Sequence, residues 1–174
     1  MSGIVLRADV EDSGIRDELN RLIALGRNPS DAMRDIATYG ENSTRERFKL
    51  QIDPDGNRWK PSLRVQLRGG RTLTKDGHLG NSITSRSSKD VAEWGSNREY
   101  AAIHQIGFDG QIKIPAHQRE ISTVFGKKLK SKMTVNVSGY TLRQRIVARA
   151  YLGTNAENAA DILDLIQYRI EGAH

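Results

Sequence analysis

Apolar and polar positions change period several times along the chain, and each change marks an element. Residues 4 to 10 alternate, with Ile4, Leu6, Ala8 and Val10 on one side and Arg7 and Asp9 on the other, which predicts a half-buried strand. From Ser13, a candidate N-cap, the spacing becomes helical: Ile15, Leu19, Leu22 and Ile23 form a stripe that stops at Gly26. Asn28-Pro29-Ser30 breaks and restarts the chain. A longer helix follows to about Leu50, its stripe set at Met33, Ile36, Ala37, Gly40, Thr44 and Phe48, with Arg34, Arg45, Glu46 and Arg47 assigned outward. The small residues in that stripe predict that another element crosses closely at Gly40.

The helix runs into Asp53-Pro54-Asp55-Gly56-Asn57-Arg58-Trp59-Lys60-Pro61, where Pro54, Gly56 and Pro61 enforce turns. Asp53, Asp55 and Asn57 resemble the start of a calcium loop, but Arg64 stands where the closing Glu is required, so the stretch reads as a turn with Trp59 anchoring it. A basic loop through Gly69-Gly70 leads to the turn signal Asp76-Gly77. Ile83 then begins a strand expected to pair with residues 91–94 in an antiparallel hairpin. The strand is expected to end at Trp94, with Gly95 and Ser96 turning a corner and Asn97 capping a short helix on which Tyr100, Ile103 and Gly107 pack back. On that reading Gly95→Val damages folding, because the corner favours a positive φ.

From Gly110 alternation returns. Ile112 and Ile114, then Met133, Val135 and Val137, outline the strands of a long β-hairpin arm with a basic turn at Gly126-Lys127-Lys128-Leu129-Lys130 between them. Ile121, Val124 and Phe125 add to its apolar side chains, and an isolated hairpin has little core of its own, so a neighbouring subunit is the expected cover. Arg143, Arg145 and Arg149 are placed on one strand face, opposite Ile146 and Ala148. Thr154-x-x-Glu157 is a capping box opening a last amphipathic helix with Ala159, Ile162, Leu163, Ile166 and Ile170 on its stripe.

Composition sharpens this picture. The 174 residues allow one domain plus an excursion, and 37% hydrophobic content is low for a globule of that length, which points to burial against other subunits. The formal net charge of +6 is localised: residues 121–156 carry Lys127, Lys128, Lys130, Lys132, Arg143, Arg145 and Arg149 without one Asp or Glu, and residues 57–75 form a second acid-free block. An acidic scaffold with two basic excursions suits acidic partners or a phosphate backbone. The absence of cysteine removes disulfides, thiolate metal sites and thiol catalysis. Neither a membrane span nor a secretory leader is expected, since no long apolar run is present.

Catalytic constellations do not emerge. His78, His104, His117 and His174 are too dispersed for a helix-borne metal pair, and Ser82 lacks a nucleophile elbow. Glu99 and His104 are five apart and fall on different helix faces, which leaves His104 as a structural or interface residue. No enzyme, cofactor or metal is expected. A structural assembly protein and a nucleic-acid-binding module remain, the latter weakened by the lack of aromatics interleaved with the basic residues.

Taken in order, F-K-L-Q-I-D-P-D-G-N-R-W-K-P from Phe48, D-G-H-L-G-N-S-I from Asp76, V-A-E-W-G-S-N-R-E-Y-A-A-I-H-Q-I-G from Val91 and R-A-Y-L-G from Arg149 resemble the phage virion morphogenesis family, which includes Mu protein G-like and tail completion proteins of contractile-tailed phages. The resemblance implies an α+β fold, an antiparallel sheet packed by N-terminal and C-terminal helices. It also implies a homo-oligomeric ring, expected to be a hexamer, at the head–tail junction of a virion assembled in a bacterial cytoplasm. Neck, tail tube and sheath proteins are the implied neighbours, with no membrane and no catalytic residue. An I-P-A-type strand typical of shorter relatives has two matches here, Ile146–Gly153 and Ile114–Ala116; the first makes residues 110–145 an inserted arm. Its basic residues, with Ile112, Ile114, Val135 and Val137, are the candidate partner surface, and non-specific contact with DNA in the lumen is the alternative use of the same charges. Pro54, Gly56, Trp59, Gly95, Tyr100, His104 and Gly107 are the candidate structural positions.

Overall fold

The second helix organises the larger of two units. Asn28 caps it, its side chain accepting from the Ser30 N–H at 3.1 Å, Pro29 occupies the first turn, and the chain leaves at Gln51 with φ 62. The structure, a computed structural model, describes residues 13–24, 26, 28–124 and 126–171. The strand expected at residues 4–10 and Phe125 lie outside the described residues. One unit holds the chain up to Gly107 and from Val147 onward; the other is Phe108–Ile146.

The first unit runs α1 (Ser13–Ala24), α2 (Pro29–Leu50), α3 (Leu63–Arg68), α4 (His78–Asn81), β1 (Ile83–Ser87), β2 (Ala92–Ser96), α5 (Ala101–Ile106) and α6 (Ala156–Glu171). The fold is α+β: small antiparallel sheets flanked by N-terminal and C-terminal helices. The whole anticipated stripe of α2 is buried, and Arg47 is buried with it, against the outward assignment. Position 47 is three residues beyond Thr44 and seven beyond Gly40, so helical spacing puts it on the inner face whatever its charge.

Two apolar clusters flank α2. Leu22 of α1, Ala32, Met33 and Ile36 of α2, and Ile162 and Ile166 of α6 form one; Phe48, Trp59, Leu79, Ile83, Ala101, Tyr151 and Leu152 form the other. Trp94 packs on both. It can do so because Gly40 has no side chain: a Cβ there would collide with the Trp94 indole carbons. Ile23, expected on the α1 stripe, is 53% exposed instead.

β1 and β2 form the expected antiparallel hairpin, with Ser85 opposite Trp94. The corner lies two residues later than the sequence suggested. Gly95 and Ser96 belong to β2, where they face Thr84 and Ile83, and Ser96 Oγ accepts from the Arg98 N–H at 3.2 Å, so Asn97 caps nothing. α5 buries Ala101 and Ala102, while Tyr100 is 40% exposed, and Gly107 ends the helix with φ 80. The basic loop contains the unforeseen helix α3, capped by Ser62 accepting from the Val65 N–H.

In the second unit, β3 (Phe108–Ile114) pairs with β6 (Tyr140–Ile146), and β4 (His117–Val124) with β5 (Lys127–Val137), all antiparallel. Ile114 faces Tyr140 and His117 faces Val137, with two residues on each side between them, so one continuous register joins both pairs. The unit is a single long hairpin interrupted at Pro115–Ala116 and Ser138–Gly139. A bulge follows between Ile121 and Thr123, where Leu129 to Lys132 have only Ser122 opposite.

Gly40→Ala is expected to destabilise the protein by about 1–3 kcal/mol in urea unfolding, the range for an overfilled core. Gly95→Val is expected to stay within about 0.5 kcal/mol of the parent, reversing the sequence expectation. Gly95 has no left-handed φ, and nothing lies within 4 Å of a Cβ built on it.

Candidate functional site

The motif stretches converge on residues 149–153, Arg-Ala-Tyr-Leu-Gly, which follow no regular strand and are largely buried. Their backbone groups are paired by side chains from three distant elements. Trp59 Nε1 donates to the Ala150 carbonyl at 2.8 Å. Gln105 of α5 accepts from the Tyr151 and Leu152 N–H groups at 2.9 and 3.0 Å and donates to the Leu152 carbonyl at 2.8 Å. Arg47 of α2 donates to the carbonyls of Tyr151 at 3.0 Å and Gly153 at 2.8 Å, and to Asn158 Oδ1 at 2.6 Å. Asn158 donates onward to the Tyr39 hydroxyl, which donates to Asp161. Burial holds the Arg47 pKa below its ordinary value, opposed by Tyr39, Asp53 and Asp55.

Around this segment the structural positions fall into place. Trp59 is buried edge-on to Phe48 with ring centroids 5.3 Å apart, and Phe48 also meets the Tyr151 ring at 5.1 Å. The buried Tyr151 hydroxyl donates to the Ala101 carbonyl, and burial, with the Tyr100 charge second, pushes its pKa up to about 12. Asp53 spends its carboxylate on Asn57, accepting from its N–H at 2.8 Å and from its side-chain amide. Gly56 takes φ 82 in that turn, and Pro54 packs against Gly153. Among the described residues no group of three or more His, Cys, Asp or Glu is placed to hold a metal ion.

Arg149 does not share a strand face with Arg143 and Arg145. β6 ends at Ile146, and Arg149 lies in the first unit, 8% exposed, donating through Nε to the Lys60 carbonyl and through Nη1 to that of Val147. It borders a cleft of about 360 Å³ with Arg64, Lys75, His78, Tyr100 and His104. His104 is half-buried, its Nδ1 enclosed without a partner, and burial first and the Arg149 charge second hold its pKa below the ordinary 6.5.

The remaining partner candidates lie on the hairpin. Cross-strand partners share a face, so Phe108, Ile112 and Ile114 join Ile146, Leu142 and Tyr140 on one side. Asp109 and Lys113 share the other with Arg143 and Arg145, and Asp109 lies 3.5 and 3.8 Å from those two arginines. Beyond the interruption the apolar residues move from even to odd positions: Ile121 faces Met133, Val135 faces Arg119 and Val137 faces His117. Lys127 and Lys128 open β5 directly after the turn, and Lys130 and Lys132 stand in the bulge, Lys132 being 3.2 Å from Glu120. The sequence reading missed Arg47, Gln105 and Asn158. Spacing alone could have found Arg47; Gln105 and Asn158 carry no local signal, because their partners are remote in the chain.

An α+β body whose motif residues hold its own interior together is joined in one chain to a basic hairpin whose outer strand edges are unpaired among the described residues. Over residues 10–171 the chain matches the phage virion morphogenesis family, and it belongs to that family. It is also similar to the Mu-like prophage FluMu G protein 2 of Haemophilus influenzae, with 33% identity over 93 residues, 53% of this chain and 63% of that protein. The match thus spans less than two thirds of the relative's length. No solved structure matches the chain.

Arg47→Met is expected to cost about 3 kcal/mol or more in chemical unfolding, because it leaves two buried carbonyls and the Asn158 amide without their partner. Arg47→Lys is expected to recover only part of this, one ammonium being unable to span all three acceptors. NMR titration should place the His104 pKa below 6.5. Its neutral form is the one the fold favours, so its contribution is intact above 6.5 and lost as pH falls toward and through the lowered folded value. His104→Gln should flatten that part of the stability–pH curve.

Proposed function

We propose that the protein is a tail-completion or neck component that assembles as a homo-oligomeric ring, a hexamer, at the head–tail junction. Membership of the virion morphogenesis family and the likeness to a Mu-like G protein support this reading. The observation that carries it is the Phe108–Ile146 hairpin. It has eight cations and two carboxylates, a surplus of six that equals the net charge of the whole chain, so the remaining residues balance to zero. Within that balance the stretch 57–75 is the second basic excursion, and the acidic scaffold outside both offsets it.

A two-stranded ribbon is marginal by itself in water, and Met133, Tyr140 and Leu142 are 49%, 51% and 46% exposed. Edges unpaired among the described residues, exposed apolar side chains and one sign of charge are what a segment completed by a neighbouring subunit presents. The switch of apolar positions at Pro115–Ala116 gives the hairpin two sticky stretches, and a pleat continued through the break sets them on opposite faces, suiting contact with two neighbours. A ring repeats such head-to-tail contacts and closes. Lys127, Lys128, Lys130 and Lys132 are also available for non-specific contact with DNA in the lumen, and neck, tube or sheath proteins stack above and below.

Because Phe108 and Ile146 are direct partners, a short Gly-Ser link can replace the hairpin without stretching the chain. The shortened protein is expected to remain folded by circular dichroism, with its helical signal kept, and to be monomeric by light scattering where the parent forms rings. Raising salt should weaken the parent ring only in part, since apolar contact is insensitive to screening. Rings from the shortened chain would sink the proposal.

A further inference from the structure

We propose that the cleft between α3, α4, α5 and Arg149 is a carboxylate-binding site that takes an acidic side chain of a neighbouring copy of this chain. Arg64 comes from α3, Lys75 and Asp76 from the turn before α4, His78 and Leu79 from α4, Tyr100 and His104 from the α5 segment, and Arg149 from the motif segment. Asp76 is the single carboxylate among the described residues of that wall, standing 3.9 Å from Lys75 and 58% exposed. It shows that Lys75 can face a carboxylate from within the site, and it is too loosely held to neutralise the site. His104 adds a directed donor. Its Nδ1 is buried without a partner, and an unpaired buried N–H is costlier than an unpaired acceptor, so the proton is held at less cost on Nε2. Its neutral form needs no second proton to donate there.

The shape favours a carboxylate over a phosphate backbone. Lys75, Arg149 and Arg64, whose Nη groups also donate to the Gly69 and Arg71 carbonyls, line one concavity of about 360 Å³ from three segments, whereas a nucleic-acid strand requires charges strung along a groove. Leu73, Leu79 and the Tyr100 ring supply apolar wall for the stem of a glutamate or aspartate. That the acid belongs to another copy of this chain rests on the assembly reading above; the site itself does not.

Glutarate, a stand-in for a glutamate side chain, is the probe for an NMR titration of the full chain. Saturable shifts are expected at His104 and Arg149, with affinity about tenfold weaker in Lys75→Glu. Lys89→Glu makes the same charge change at an exposed position outside the cleft and should leave affinity unchanged within about twofold. Absence of saturation, or equal losses in both variants, overturns the site. Tighter binding of a short duplex DNA that Lys75→Glu abolishes assigns the cleft to phosphates and overturns the carboxylate reading. Glutarate binding is measurable on rings and on single subunits alike, so the site stands or falls separately from the ring. Where rings do form, saturating glutarate should dissociate them, and rings that persist with the cleft filled overturn the neighbouring copy as the partner.

Discussion

The fold depends on keeping a buried stretch of irregular backbone hydrogen-bonded. Residues 149–153 cross the interior without a sheet ladder, and each buried peptide group left unpaired would cost about 1–3 kcal/mol. Arg47, Gln105 and Trp59 supply the missing partners, each from a different segment. A guanidinium suits the task because its planar fork reaches two carbonyls and the Asn158 side chain at once. The same contacts tie α2 to the start of α6, since Asn158 also closes a reciprocal pair with Asn155, and Asn155 in turn donates to the Pro54 carbonyl. The motif stretches therefore act together as a folding signature: each places one side chain or one turn against the same strip of backbone.

Much of this was legible in the sequence where the signal is local. The limits of α2 follow from Asn28-Pro29, its crossing follows from Gly40, and the β1–β2 hairpin follows from alternation and a turn between. Arg47 shows where such reading stops. Its spacing matched the buried stripe, but a charge was assigned to solvent, because its acceptors lie more than 100 residues away and are ordinary carbonyls that no pattern marks. Gly95 failed for a related reason. A Trp-Gly-Ser sequence signals a corner, but Ser96 can stay in β2 opposite Ile83 and still supply the acceptor for Arg98, which moves the turn onward and frees Gly95 from any special conformation. α3 escaped because six residues rich in arginine within a Gly-bounded loop resemble a loop more than a helix, and only the Ser62 cap distinguishes them.

The hairpin was legible as alternation, and its internal break was not. Pro115 cannot donate to a ladder, and a Cβ on Gly139 would stand 3.3 Å from both the Ala116 nitrogen and the Ile114 oxygen, so the two strands pass closely there. A bulge with one extra residue would restore the apolar side chains to their original face. None is inserted: the register runs through unchanged while the apolar residues move from even to odd positions. The side-chain pattern, not the backbone pairing, changes sides at this point, and no single flat surface can cover both stretches along an unbroken pleat. The stretch before the break bears Ile112, Ile114, Tyr140 and Leu142, and the stretch beyond it bears Ile121, Met133 and Val135, with lysines following the turn. A proline on one strand and a glycine on the other thus mark the place where the apolar side chains change parity while the pairing keeps its register.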